Sequence, residues 1–182
     1  MATWAALYIK TSDEQEILNF LSIKSYKRVP FPIDFYSSFL LKKASPNYIL
    51  IGKTQPEWIT IILNSYDKLE IFCKRISKEI NSQCIIVFAQ TVSDYYYFAL
   101  YDKGVKIREI ENNYDDETDS INFGEKLQFE KQEEDELLID FESIMKYSRH
   151  LGVMIPIDLN AYNWIILKGS KYLQKIPWWK FW

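Results

Sequence analysis

The chain has 182 residues, 48% of them hydrophobic and 16% aromatic, with five glycines and six prolines. That is enough for one substantial domain or two small ones, and it excludes a fibrous or low-complexity chain. No apolar run approaches the roughly 20 residues that cross a bilayer, so no transmembrane segment is expected, and no secretory leader is visible.

The formal net charge of −3 conceals two parts of opposite sign. From Glu111 to Glu142 there are 13 acidic residues against two lysines, a balance of −11. The remainder carries 20 basic and 12 acidic residues, a balance of +8. Such a segment either folds onto the basic body or is offered to a basic partner.

In chain order, "TWAALYIKT" reads as a strand and "SDEQEILNFLSIKS" as a helix, with Thr11 and Glu14 at the spacing of a capping box. Ile17, Leu18 and Leu21 supply the apolar face of that helix. "FYSSFLLKK" and "NYILIGK" read as two further strands. "EWITIILNS" opens a second block as a strand, followed by the helix "YDKLEIFCKRISKEIN". There Leu69, Phe72, Cys73, Ile76 and Ile80 keep the 3.6-residue spacing, and Asn81 ends the helix. "CIIVFAQ" and "YYYFALYD" then match the two strands of the first block, and "VKIREIE" is appended as an extra strand.

Setting Trp4 against Trp58 aligns Ile9 with Leu63, Asp13 with Asp67, Glu16 with Glu70 and Ile17 with Ile71. The expected fold is therefore α+β, a mainly antiparallel twisted sheet from two β-α-β-β units, ferredoxin-like in spirit and duplicated, with helices on one face. The units span 1–56 and 57–111. An acidic loop over 112–139 follows, then a C-terminal helix, strand and aromatic tail over 140–182, all in one globular body.

In "YYYFALYD" the alternation places Tyr95, Tyr97, Ala99 and Tyr101 on one face, with Tyr96, Phe98 and Leu100 on the other. Val105 and Ile107 of the return strand are expected to point inward, and Ile110 outward unless a bulge intervenes. Within the acidic loop, "EKLQFE" reads as a short strand. Asp140 is expected to cap a third helix lined by Phe141, Ile144, Met145 and Leu151, and Gly152 to stop it.

There is no Walker loop, GxGxxG, HExxH or paired CxxC, so no cofactor and no metal is expected. The aspartates from Asp115 onward fail as a calcium loop, with Ser120 at the glycine position and Lys126 at the bidentate glutamate. His150, the sole histidine, is read as a partner of a helix C-terminus rather than a catalytic base. Ser93 and Asp94 read as turn residues. Cys73 and Cys84 fit no metal or redox spacing; the expectation is two free thiols in a reducing cytoplasm, with a disulfide between them as the alternative.

The expected function is that of a non-enzymatic cytoplasmic protein-binding protein, a neutraliser or adaptor for a basic partner. The general look resembles bacterial immunity-type proteins, a likeness of style that carries no residue. Asp115, Asp116, Glu117 and Asp119 would steer the partner, and Tyr95, Tyr97 and Tyr101 would anchor it if their face is open. One alternative is an enzyme built on Arg108, Asp94 and Tyr96 or Tyr97. Another is membrane attachment through Trp178, Trp179, Phe181 and Trp182, against a structural role in which the tail folds over a sheet edge. No specific nucleic-acid partner is expected, and the oligomeric state is open.

Overall fold

The computed structural model describes residues 3–31, 48–63, 69–90, 93–113, 120–132, 139–155 and 158–168. These residues form an α+β structure, with one antiparallel sheet of nine strands and three helices. The strands are β1 (Thr3–Lys10), β2 (Arg28–Pro30), β3 (Tyr48–Lys53), β4 (Trp58–Leu63), β5 (Gln83–Gln90), β6 (Tyr95–Asp102), β7 (Val105–Asn113), β8 (Ile121–Phe123) and β9 (Asn163–Lys168). The helices are α1 (Glu14–Phe20), α2 (Leu69–Glu79) and α3 (Phe141–His150). No helix of the described residues is long and apolar enough to cross a membrane.

The sheet order is β2-β9-β3-β4-β1-β5-β6-β7-β8. β1 lies in the middle, antiparallel to β4 on one side and to β5 on the other. β4 is in turn antiparallel to β3. It follows that β1 and β3 run parallel with β4 between them, and β4 and β5 run parallel with β1 between them. The strands of the two blocks thus interleave, with β4 of the second block between β3 and β1 of the first. The strand expected at "FYSSFLLKK" lies outside the described residues.

Two cores flank the sheet. On one face Leu7, Ile9, Ile61 and Ile86 pack against Ile17, Leu18 and Leu21 of α1 and Phe72, Cys73 and Ile76 of α2. On the other, Tyr8, Leu50, Ile62, Ile85, Val87 and Phe98 pack against Ile144 and Tyr147 of α3. The expectation of helices on a single face is therefore corrected. The cause is legible in β4, where every residue of "WITIIL" is buried. A strand apolar at both parities needs cover above and below. Each such aliphatic side chain contributes roughly 1.5–3 kcal/mol on burial.

The burial patterns of the two blocks can be set side by side. Ala5, Leu7 and Ile9 share the α1–α2 face with Ile59, Ile61 and Leu63, an offset of 54. In the helices, buried Ile17, Leu18 and Leu21 correspond to buried Phe72, Cys73 and Ile76, an offset of 55. Ile71, paired with Ile17 by the strand offset, is exposed. The spacing from buried strand to buried helix face is thus one residue longer in the second block.

Local chemistry sets the ends of the elements. Asp13, not Thr11, is the cap of α1, its carboxylate accepting from the Gln15 N–H at 2.8 Å. The Thr11 hydroxyl accepts the Asp13 N–H instead, at 3.1 Å, closing the preceding turn. Asp140 caps α3 as expected, accepting from the Ser143 N–H at 2.8 Å. Phe141, expected inside, is exposed, and Tyr147 takes the buried place. On β3, Gly52 leaves room for the Trp164 indole: a Cβ there would stand 2.7 Å from a ring carbon. The indole N–H donates to the Leu159 carbonyl at 2.9 Å.

Cys73 of α2 and Cys84 of β5 form a disulfide, with Cα atoms 5.9 Å apart and both residues fully buried. This corrects the reading of two free thiols. Asn81, in the left-handed conformation at φ 55°, ends the helical segment and turns the chain back. The inner face of α2 then lies against the strand that follows it.

Candidate functional site

The site begins with a turn. Lys103 and Gly104 both take positive φ, 50° and 85°, and reverse the chain between β6 and β7. The register then slips: Leu100 faces Arg108 while Tyr101 faces Lys106, leaving Ile107 without a partner across the ladder. This is a β-bulge, and it re-aims side chains. Val105 and Ile107, expected inward, are 62% and 38% exposed, and Ile110 is buried against the α3 face. The bulge brings Lys106 onto the face of Tyr101.

Along that face β6 and β7 form a ladder of phenols and carboxylates. The Tyr95 hydroxyl donates to Glu111 Oε1 at 2.9 Å, and that of Tyr97 to Glu109 Oε1 at 2.8 Å. Both are diagonal contacts, since Tyr97 stands opposite Glu111 and small Ala99 stands opposite Glu109. The Tyr101 hydroxyl donates to Glu70 Oε2 of α2 at 3.1 Å. The Lys106 ammonium joins two of these carboxylates, donating to Glu70 Oε2 at 2.5 Å and to Glu109 Oε2 at 2.8 Å. It also lies 5.8 Å from the ring centre of Tyr101 and 6.0 Å from that of Phe123, within cation–π range.

These contacts push the titrations of the three phenols, Lys106 and Glu70 away from neutrality. Burial raises the phenols of Tyr95, Tyr97 and Tyr101 well above the ordinary range, and the adjoining carboxylates raise them further. Burial alone would lower the Lys106 ammonium, but hydrogen bonds to Glu109 and Glu70 overcome it and hold the proton. Partial burial pushes the Glu70 carboxyl up, yet Lys106 outweighs this and leaves it below its usual value.

Above the ammonium opens a cleft of about 540 Å³ between α2 and strands β6 to β8. Glu70, Ile71, Lys74, Val105, Lys106 and Phe123 are among its lining residues. Ile71, Val105 and Phe123 are exposed, so the charged floor is rimmed by apolar side chains.

Of the tyrosines singled out as anchors, Tyr97 and Tyr101 are buried and Tyr95 is half-buried. Asp115, Asp116, Glu117 and Asp119 lie outside the described residues, as do Trp178, Trp179, Phe181 and Trp182. The set Arg108, Asp94 and Tyr96 or Tyr97 is not brought together. The Tyr96 hydroxyl meets Asp94 at 3.4 Å, Tyr97 points to the opposite face, and Arg108 is committed to Glu130. Exposed His150 ends α3 and stacks on Phe129, with ring centres 4.5 Å apart.

Glu70, Lys106 and Phe123 were not singled out as site residues from the sequence. The period-two pairing of Tyr95 and Tyr97 with Glu109 and Glu111 was the available signal. Comparison with family models, curated proteins and solved structures finds no match to this chain.

Proposed function

We propose that the chain is a non-enzymatic protein-binding protein for a basic partner, of the neutraliser or adaptor kind. The cleft between α2 and β6–β8 is its contact surface, and the segment Glu111–Glu142 guides the approach, with Asp115, Asp116, Glu117 and Asp119 among the guiding charges. The observation that carries this reading is the chemistry of the cleft floor. Acid–base catalysis favours groups that titrate near the working pH. Here the phenols and the ammonium are driven the other way, and each is already bonded to a carboxylate. The exposed apolar rim around them is what a protein interface uses.

The excess of 13 acidic residues over two lysines in Glu111–Glu142 supports steering of a cation-rich surface. A cytoplasmic setting was expected from free thiols, and the Cys73–Cys84 disulfide withdraws that ground. The partner reading stands in either compartment. We also read the two interleaved β-α-β crossovers as copies of one ferredoxin-like half, supported by the matching burial of β1 with β4 and α1 with α2.

The test is capture of partners from the source cell at low salt, then association rates over a range of ionic strength. The rate is expected to fall steeply as salt approaches about 0.15 M, where charges screen over roughly 8 Å. A rate indifferent to salt would remove the guiding role of the acidic segment.

A further inference from the structure

We propose that Glu70, Glu109, Tyr101 and Phe123 form a receptor for one lysine side chain of the partner, and that Lys106 fills it as an internal stand-in until displaced. This rests on the reading of the partner as a basic protein.

The receptor is defined by what it already holds. Two carboxylates bind one ammonium at 2.5 and 2.8 Å, and two aromatic rings flank it at 5.8 and 6.0 Å. A ring face attracts a cation, and carboxylates supply the charge-assisted hydrogen bonds. These groups come from α2, β6, β7 and β8, and only the fold and the Ile107 bulge assemble them.

Exchange is favoured over simple addition. Lys74 also lines the cleft, and Lys106 already holds both Glu70 and Glu109, so a further cation would meet carboxylates that are engaged and ammonium groups beside them. Replacement of one ammonium by another leaves both carboxylates paired. Lys106 is able to leave, because its side chain is 25% exposed and its Glu70 partner 48% exposed. Its four-carbon stem can carry the charge out to water. Ile71, Val105 and Phe123 then receive the apolar residues beside the partner's lysine.

The experiment uses Nα-acetyl-lysine N-methylamide as the probe and its norleucine counterpart as the uncharged control. Binding is followed by the ring-proton NMR signals of Phe123 in the wild type and in Lys106→Ala. If the stand-in occupies the receptor in about nine-tenths of molecules, its removal tightens probe binding about tenfold. Adding Glu109→Gln to Lys106→Ala is expected to abolish that gain, and the norleucine probe to leave Phe123 unmoved. Lys106→Thr, with a strand-favouring side chain, repeats the test if circular dichroism shows the alanine variant unfolded. A probe affinity unchanged by loss of Lys106, or equal binding of the norleucine control, overturns the receptor. Neither result touches the guiding role of the acidic segment, which fails separately on salt-indifferent association.

Discussion

Arg108 donates its Nε–H to both carboxylate oxygens of Glu130, at 3.1 Å each, and both side chains are shut off from solvent. Its Nη1 also donates to Asn122 Oδ1 at 2.6 Å and to the Phe123 carbonyl at 2.8 Å. One guanidinium thereby fastens the stretch 120–132 to β7, while Nη2 has no partner among the described residues. Removing one member of a buried ion pair strands the other and costs about 3–5 kcal/mol. Glu130→Ala is expected to lower the unfolding free energy read from urea titration by that amount, and Arg108→Met with Glu130→Leu to recover most of it. A single variant as stable as wild type would mean that the pair is not formed.

Alkaline pH is expected to unfold the protein. Tyr8, Tyr95, Tyr97 and Tyr101 all have folded-state values above the ordinary phenol value of about 10. Below that pH both states are protonated and the full stability is present. Above it the unfolded chain loses protons that the folded chain retains, so stability falls as pH rises. For a fully buried phenol such as Tyr8 the slope is about 1.4 kcal/mol per pH unit. Absorbance of tyrosinate should rise together with loss of circular dichroism; ionisation of these phenols in a still-folded protein would contradict the assignment. Glu70 acts at the other end: its lowered value contributes stability above the unfolded carboxyl range, lost as pH falls through the folded value.

Gly124 follows β8 at φ 89°, and a Cβ there would stand 2.1 Å from the Ile107 carbonyl oxygen. The obstacle is backbone, which a side-chain rotation cannot clear. Gly124→Ala is expected to free β8 from β7 at a cost of about 1–3 kcal/mol. Hydrogen exchange read residue by residue would show protection lost first around Glu109–Glu111, the strand segment that pairs with β8. Unaltered protection there would count against the close approach.

The Cys73–Cys84 pairing predicts a chemical result. Unfolded in denaturant without reductant, the purified protein should take up no alkylating reagent, and after reduction it should take up two equivalents. Closing a loop of this size constrains the unfolded chain, so the reduced protein is expected to lose roughly 2–3 kcal/mol. Immediate labelling of both thiols would restore the free-cysteine reading.

Much of this architecture is visible in residue patterns. The alternation in "YYYFALYD" assigns both faces of β6, and Leu69, Phe72, Cys73 and Ile76 mark the buried stripe of α2. In the return strand the expectation failed at Val105 and Ile107, which are exposed, while Ile110 follows the bulge alternative. One unpaired residue, Ile107, shifts the side chains after it to the opposite faces. The two edge strands, Arg28–Pro30 and Ile121–Phe123, are three residues each, too short to show a period. "EKLQFE" was read as a strand, but its end forms a 3-10 turn at Glu130–Gln132. There Glu130 is drawn inward by Arg108, a pairing that no local rule anticipates. The cleft depends on Glu70 meeting residues more than thirty positions away, and such meetings are set by strand order.

The central position of β1 has a consequence for biosynthesis. Both of its neighbours, β4 and β5, begin only at Trp58 and Gln83. A nascent chain that has emerged as far as Pro56 therefore lacks both of the strands that flank β1 in the folded protein. Unpaired strands invite aggregation until their neighbours arrive. Severing the polypeptide between its halves would part β1 from both of its neighbours.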